Sequence, residues 1–468
     1  MGSVTESKQT KWLVLLCVGI GTFLSSLNTS LTNTILPVIE RALHISLGQS
    51  EWIVLIYLLI LTVLLIPIGR LSDVLGHRRI LLIGFALFTC AAVVCGYSKD
   101  FLCLFIGRAL LAIGGSMILS VGPAVLTTTF PSNERGKALG MQVLMTYIGL
   151  SLGPLIGGGI TQLFGWKFCF FITVPFGLAG LVLGFTVIKE VSAPDVKSID
   201  IKGMLFFAIA MTAATVIFNA SSLKVSSLFM LLLFIIMILS FLIFFRVEKK
   251  SDLSMMPLSL FRIRNFGFGS FGAAFNYLCF YQILFLIPFY FDRVLHTSIM
   301  KTGVIFSIAP VIMTVCSPIV GSLSDRFGAR IFSMAGMACS TISLILFGIM
   351  AKTASPFAFL LLIIGLVFTG LGIGIFAAPN NSAIMGAAPR EYQGAASGVV
   401  ATFRYMGMIA GTTTGASLFH FILSQQKDIS SQQAFLSSFS LTMWIGVIFG
   451  LIGFACAFSM DKNKVNNA

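Results

Sequence analysis

Charge is what this chain has least of. Only 10% of its 468 residues are Asp, Glu, Lys or Arg, and just 16 are acidic. Once the long apolar runs are assigned, nothing remains with the balance of a water-soluble domain. Nine cysteines are present, none in a C-x-x-C spacing; eight fall inside apolar runs and Cys103 lies at the start of one. Neither a zinc site nor a disulfide framework finds support, and the thiols read as small buried hydrophobes. The four histidines, His44, His77, His296 and His420, are scattered near helix ends. None has a nucleophile or metal-ligand set by its spacing, so neither an enzyme nor a metal protein is expected. A phosphate-cradling loop is missing as well, which leaves an ion gradient as the energy source for any uphill work.

Apolar residues make up 57% of the chain. They fall into fourteen runs, approximately 12–36, 51–69, 79–97, 101–129, 135–163, 166–188, 203–219, 225–246, 266–291, 301–320, 331–350, 356–378, 393–422 and 435–460. Each approaches the twenty or so residues that cross a bilayer. The first run is too long for a signal-peptide core and lacks a small-residue cleavage pattern, so it is expected to be a retained span. Trp12, Trp52 and Trp166 fall at predicted span ends, where interfacial anchors belong. The net charge of +14 follows these ends instead of forming a nucleic-acid patch. With both termini placed inside, twenty Lys and Arg lie in cytoplasmic segments and eight in outer loops, as the positive-inside rule requires. A multi-pass protein of the cytoplasmic membrane is the expectation.

The segment from Gly69 to Arg79, with the spacing G-x-L-S-D-x-x-G-x-R-R, joins the second and third spans; it returns in shortened form from Gly321 to Arg330. Glycines at 69 and 76 permit a tight reversal, and Asp73 can accept hydrogen bonds from arginine or a helix N-terminus. The two turns are 252 positions apart, more than six spans and their loops occupy. Two extra spans, 203–219 and 225–246, fill the difference, giving six plus two plus six. The stretch from Met255 to Arg264 reads as an interfacial helix. On the fifth span, Gly149, Gly153, Pro154, Gly157 and Gly158 put small residues along one face beside a proline, a pattern for close packing and bending. On the first, Ser25, Asn28 or Thr29, and Thr32 recur at helical spacing with Asn33 and Thr34 beside them, a polar stripe that belongs on a cavity.

These turns resemble the cytoplasmic signature of the major facilitator superfamily. The run Leu27 to Pro37, the fifth-span glycines, and Trp166-Lys167-Phe168 with Thr173 to Gly177 resemble motifs of its fourteen-spanner drug/proton antiporter branch. The resemblance covers nearly the whole chain. It implies an all-α membrane protein of the major facilitator fold: a six-helix bundle over 1–190, a linker with two inserted helices over 191–264, and a second bundle over 265–468. It further implies a secondary exporter of drug-like or amphipathic compounds working by alternating access, with a proton gradient and no cofactor, functional as a monomer in its lipid bilayer. Asp73, with Gly69, Gly76, Arg78, Arg79 and, in the second turn, Asp325 and Arg326, would form a conformational latch that meets the thirteenth span around Gln393 and Gly394.

One departure matters. Where the branch has an aspartate near the middle of the first span, this chain has Asn28, which cannot titrate. Every acidic residue can be placed in a loop or at a helix end; Glu40, Glu51 and Asp292, near the outer surface, remain candidates for proton binding or are ordinary loop carboxylates. Two bases do lie within spans. Arg108 matches the arginine of the family's proton-transfer motif, although Leu111 and Ala112 replace the expected glutamine and glycine, and it faces either a cavity or, by snorkelling, the outer surface. Arg404 lies near mid-depth, where an arginine requires water or a partner. Gln142, Asn276, Tyr277 and Tyr281 are further candidates for cavity walls or for polar contacts between helices. Two cations without an embedded carboxylate predict a pocket for neutral or anionic amphiphiles. The alternatives are an exporter or flippase of such lipids, and a non-transporting sensor or scaffold.

Overall fold

The computed structural model describes residues 8–131, 134–189, 201–219, 226–250, 258–353, 357–389, 392–425 and 431–461. Every regular element among them is helical, the outcome that hydrocarbon enforces by leaving backbone groups no water to bond. The first bundle comprises α1 (Lys8–Ala42), α2 (Leu47–Leu75), α3 (His77–Tyr97), α4 (Phe101–Thr129) and α5 (Arg135–Phe164), then a sixth crossing divided into α6 (Phe168–Phe171) and α7 (Thr173–Val187). The inserted pair is α8 (Ile201–Phe218) and α9 (Ser227–Lys250). A 3₁₀ turn, Leu258–Arg262, stands where an interfacial helix was expected, and Met255 to Pro257 lie outside the described residues.

The second bundle begins with α10 (Arg264–Arg293) and a crossing divided into α11 (Ile299–Phe306) and α12 (Ile308–Phe327). It continues through α13 (Ala329–Met350) and α14 (Phe357–Ala387). A composite crossing follows, made of α15 (Gln393–Thr413), a π-helical segment (Thr414–Leu418) and α16 (Phe419–Gln425), before α17 (Ser431–Phe458). Thirteen of these helices or composites are long and apolar enough to cross a membrane, and Lys202–Phe218 is a shorter apolar helix. The fourteen expected crossings are thus accounted for.

The internal repeat is visible in its turns. Gly76 (φ 96°) and Gly328 (φ 90°) each reverse the chain as the single residue between two helices, a conformation that side chains rarely adopt. Gly69 and Gly321, read from the sequence as turn residues, instead lie inside α2 and α12. Just past each reversal an arginine stacks on a phenylalanine near the end of its bundle's last crossing: Arg78 lies 5.3 Å from the Phe185 ring centre and Arg330 lies 4.7 Å from that of Phe458. Arg78 also donates to the Phe185 carbonyl at 2.8 Å.

Glycines set the spacing inside each bundle. A Cβ on Gly149 would meet the Phe23 carbonyl at 2.6 Å, and one on Gly153 would meet Ser30 at 2.6 Å, so α5 lies directly on α1. Gly157 faces Leu31 and Ile35 of the same helix, whereas Gly158 turns to the backbone of Ile299 in α11. In the second bundle Gly407 and Gly411 of α15 bring it equally close to the Ala274 and Leu278 carbonyls of α10. As a result α1 and α10 occupy the centre: of the 18-residue apolar stretch in each helix, 83% is buried in α10 against 11% in α9. The α9 surface of Leu228, Phe229, Leu231 and Leu239 is exposed and apolar, matched to acyl chains. Trp166 departs from its expected anchoring role, being buried edge-to-face against Phe170.

The inserted pair is attached to both halves, α8 lying against α2 of the first bundle and against α15 of the second. Phe207 of α8 packs on Phe244 of α9, and Asn219, just past α8, donates to the Thr413 hydroxyl at 3.2 Å and accepts from Ser417 of the π-helical segment at 3.3 Å.

Gly149→Ala is expected to destabilise the protein by about 1–3 kcal/mol, the usual cost of overpacking. The control is Gly159→Ala, since a Cβ there meets nothing within 4 Å. Thermal unfolding in detergent distinguishes them, and equal midpoints would refute glycine-limited packing of α5 on α1.

Candidate functional site

Arg108 settles inward. Its residue is 1% exposed, so the snorkelling alternative fails. Nε donates to the Ile53 carbonyl of α2 at 3.1 Å, while one terminal nitrogen donates to the Asn28 side-chain oxygen and to the Thr32 hydroxyl, at 3.2 Å, on α1. The guanidinium lies 4.5 Å from the ring centre of Tyr57, whose hydroxyl shares a 2.7 Å hydrogen bond with Ser25. Among the described residues no carboxylate forms an ion pair with Arg108. A buried cation is thus held by a carbonyl, an amide oxygen, a hydroxyl and a π face. Because arginine only donates, the Asn28 oxygen must face it, which leaves the amide Nδ2 of Asn28 buried without a hydrogen-bond partner.

A second cluster faces this one from the other bundle. Arg404 of α15 lies among the phenols of Tyr277, Tyr405 and Tyr147. Tyr281 neighbours Tyr405, Tyr277 and Tyr57. Five of the eight tyrosines in the chain therefore converge from α2, α5, α10 and α15 on the interface between the bundles, with an arginine on either side. The halves are also joined directly here, because Ser151 of α5 and Thr314 of α12 share a 2.8 Å hydrogen bond. Such a region offers hydrogen-bond donors and flat aromatic faces but no nucleophile. Among the described residues no group of three His, Cys, Asp or Glu side chains could hold a metal.

Of the residues expected to line a cavity, Asn28, Thr32 and Arg108 are brought together in one bundle, and Tyr277, Tyr281 and Arg404 in the other. Three are not. Asn33 donates to the Thr29 carbonyl of its own helix at 2.9 Å, Gln142 to Thr22 on α1 at 3.2 Å, and Asn276 to Ser340 on α13 at 3.0 Å. These amides are engaged within or between helices of one bundle. Sequence reasoning missed Tyr57, Tyr147 and Tyr405; the scarcity of tyrosine beside 45 phenylalanines was the available signal.

The acidic candidates are not loop residues. Glu51 is fully buried in α2, and Glu40 and Asp292 sit in the last turns of α1 and α10. At the opposite end of the bundle, Asp73 lies 3.8 Å from His77 in its own turn, and His77 is hydrogen-bonded to Ser72. Arg326 is exposed. The side chains of Asp325, Gln393 and Gly394, named for the latch and its docking point, lie outside the described residues.

Comparison with known proteins gives a consistent answer. The family model described as Major Facilitator Superfamily matches residues 18–412 and 269–465. The riboflavin transporter RibZ of Clostridioides difficile is 35% identical over 95% of this chain and 96% of its own length. The tetracenomycin C resistance and export protein of Streptomyces glaucescens is 29% identical over 86% of this chain and 74% of its own. Among solved structures, a bacterial homolog of the human lysosomal transporter Spinster, captured inward-facing, aligns with a TM-score of 0.66 at 15% identity, covering 97% of both chains. The peptide transporter POT bound to alafosfalin gives 0.70 at 16% identity, covering 98% of this chain and 97% of that one. With two repeated bundles around α1 and α10, signature turns in both, and a family match across nearly its full length, the chain belongs to the Major Facilitator Superfamily and is a membrane transporter.

Proposed function

We propose that this protein exports neutral or anionic amphipathic compounds with an aromatic ring system across the cytoplasmic membrane, by alternating access and in exchange for protons. One chain supplies the whole pathway. The observation that carries the substrate class is Arg108, buried against Asn28 instead of a carboxylate. A buried cation that keeps its charge favours an anion or a strong acceptor and repels a quaternary ammonium group. The unpartnered amide of Asn28 adds a further donor, and the tyrosine faces suit a flat ring. Relatives named for riboflavin and tetracenomycin C support this reading, since riboflavin is itself an uncharged fused-ring molecule with a hydroxylated chain. Export is favoured by the fifth-span glycine motif and by the export relative.

Four outcomes are expected. In sealed liposomes carrying an internal pH dye, transport of a riboflavin-like or anionic aromatic compound should move protons; transport without proton movement would replace antiport by another ion or by facilitated diffusion. Arg108→Lys should slow that transport roughly tenfold, because an ammonium cannot reproduce several charge-assisted bonds worth about 1.5 kcal/mol or more each. In the same series Asn28→Asp should weaken the anionic compound and improve a cationic one, and unchanged selectivity would rule out Arg108 as the determinant. Asp73→Asn is expected to slow transport while leaving insertion intact, and full activity would remove Asp73 from the mechanism.

A further inference from the structure

The 252-residue offset of the signature turns extends to the opposite end of the bundles. Adding 252 to Glu40 gives Asp292, and adding it to Arg41 gives Arg293. The match continues through seven positions: Glu40-Arg41-Ala42-Leu43-His44-Ile45-Ser46 aligns with Asp292-Arg293-Val294-Leu295-His296-Thr297-Ser298, an acid, arginine, any residue, leucine, histidine, any residue, serine. Local geometry repeats as well. His44 (φ 51°) and His296 (φ 48°) are the two non-glycine residues with left-handed backbones among those described, and each directs the chain out of its helix. Ser46 and Ser298 then cap the next helices by accepting from the amides of Gln49 and Lys301. Each acid and arginine is thereby held at the tip of a central helix.

The two tips pair crosswise. Arg293 donates to Glu40 at 2.6 Å, and Arg41 forms an ion pair with Asp292 at 2.8 Å. Each repeat gives its acid to the other's arginine, the reciprocal contact that a two-fold relationship generates. Arg293 also lies 5.4 Å from the Phe289 ring centre, and nearby the α5 and α11 backbones meet at Gly158 and Gly303. The charge distribution of the sequence assigns this end to the outside, so Glu40 and Asp292 serve each other's arginines where proton carriage had been their candidate role.

We propose that the crossed pairs Glu40–Arg293 and Arg41–Asp292 are the lock of the outer gate, and that the protein cannot open outward without breaking both. The proposal rests on the alternating-access reading. A rocking motion that parts α1 from α10 stretches symmetry-related pairs together, so they act as one catch.

The test is hydrogen exchange by mass spectrometry on the purified full chain in lipid nanodiscs, without substrate. It is read at 154–160 and 299–306, segments of α5 and α11 that make no ion pair with the lock. Glu40→Gln and, separately, Arg293→Gln should speed exchange there roughly two- to fivefold, the population change expected from losing one partly exposed pair. The combination of Glu40→Arg with Arg293→Glu keeps every cross-contact attractive and should restore the original rate. Arg41→Gln is a second probe that tolerates substitution, its side chain being 65% exposed. Wild-type exchange in the single variants, or a charge swap no slower than they are, would overturn the lock. Since no compound is transported in this measurement, its outcome is independent of the proposed substrate and of proton coupling.

Discussion

Everything at the centre of this protein answers to one requirement: a charge taken out of water must be surrounded by groups that replace water. Arg108 is the hardest case, a buried guanidinium of the first bundle with no ion-paired carboxylate among the described residues. Three helices meet that requirement jointly, α1 with Asn28 and Thr32, α2 with the Ile53 carbonyl and the Tyr57 ring, and α4 with the arginine itself. Their relative rotation is fixed by it, because turning any one would strand a buried donor at a cost of several kcal/mol. The glycine contacts of α5 on α1 then hold α5 against this core.

The second bundle meets a similar demand differently. Arg404 is hydrogen-bonded to the Tyr277 hydroxyl, with the phenols of Tyr405 and Tyr147 near enough to act on its charge. The two solutions meet through Tyr57, Tyr281 and Tyr405, so the interface between the bundles is also where their electrostatics are shared. An interface built from hydroxyls and rings can separate without leaving a bare ion pair in lipid. That property distinguishes it from the ends of the bundles, where formal charges meet directly.

Much of the architecture was legible because membrane insertion writes it in plain units: apolar runs of about twenty residues, turns with glycine at the reversal, and arginines and lysines concentrated on one side. Gly76 and Gly328 were readable for that reason, whereas Gly69 and Gly321 carry the same letter in a helix interior. Side-chain partners were less accessible. Asn33 and Asn28 look alike in the first span, yet one bonds its own helix and the other faces an arginine eighty positions away. The tyrosine cluster draws on four helices from both halves, and no local spacing encodes such a convergence. Acids at helix ends read as loop residues because pattern alone does not reveal that two ends, 252 positions apart, are adjacent in space.

The attachment of the inserted helices has a consequence for the membrane around the protein. Asn219 fastens α8 to the π-helical segment that follows α15, and α9 rides on α8 with its outer face against lipid. Any movement of α15 relative to α2 would therefore be passed to a hairpin that lies against both halves in the plane of the bilayer. On the proposed alternating-access cycle, a change of state would displace more lipid than six helices alone. The balance between states should accordingly respond to bilayer thickness and lateral packing, which makes the membrane itself a variable in how fast this protein turns over.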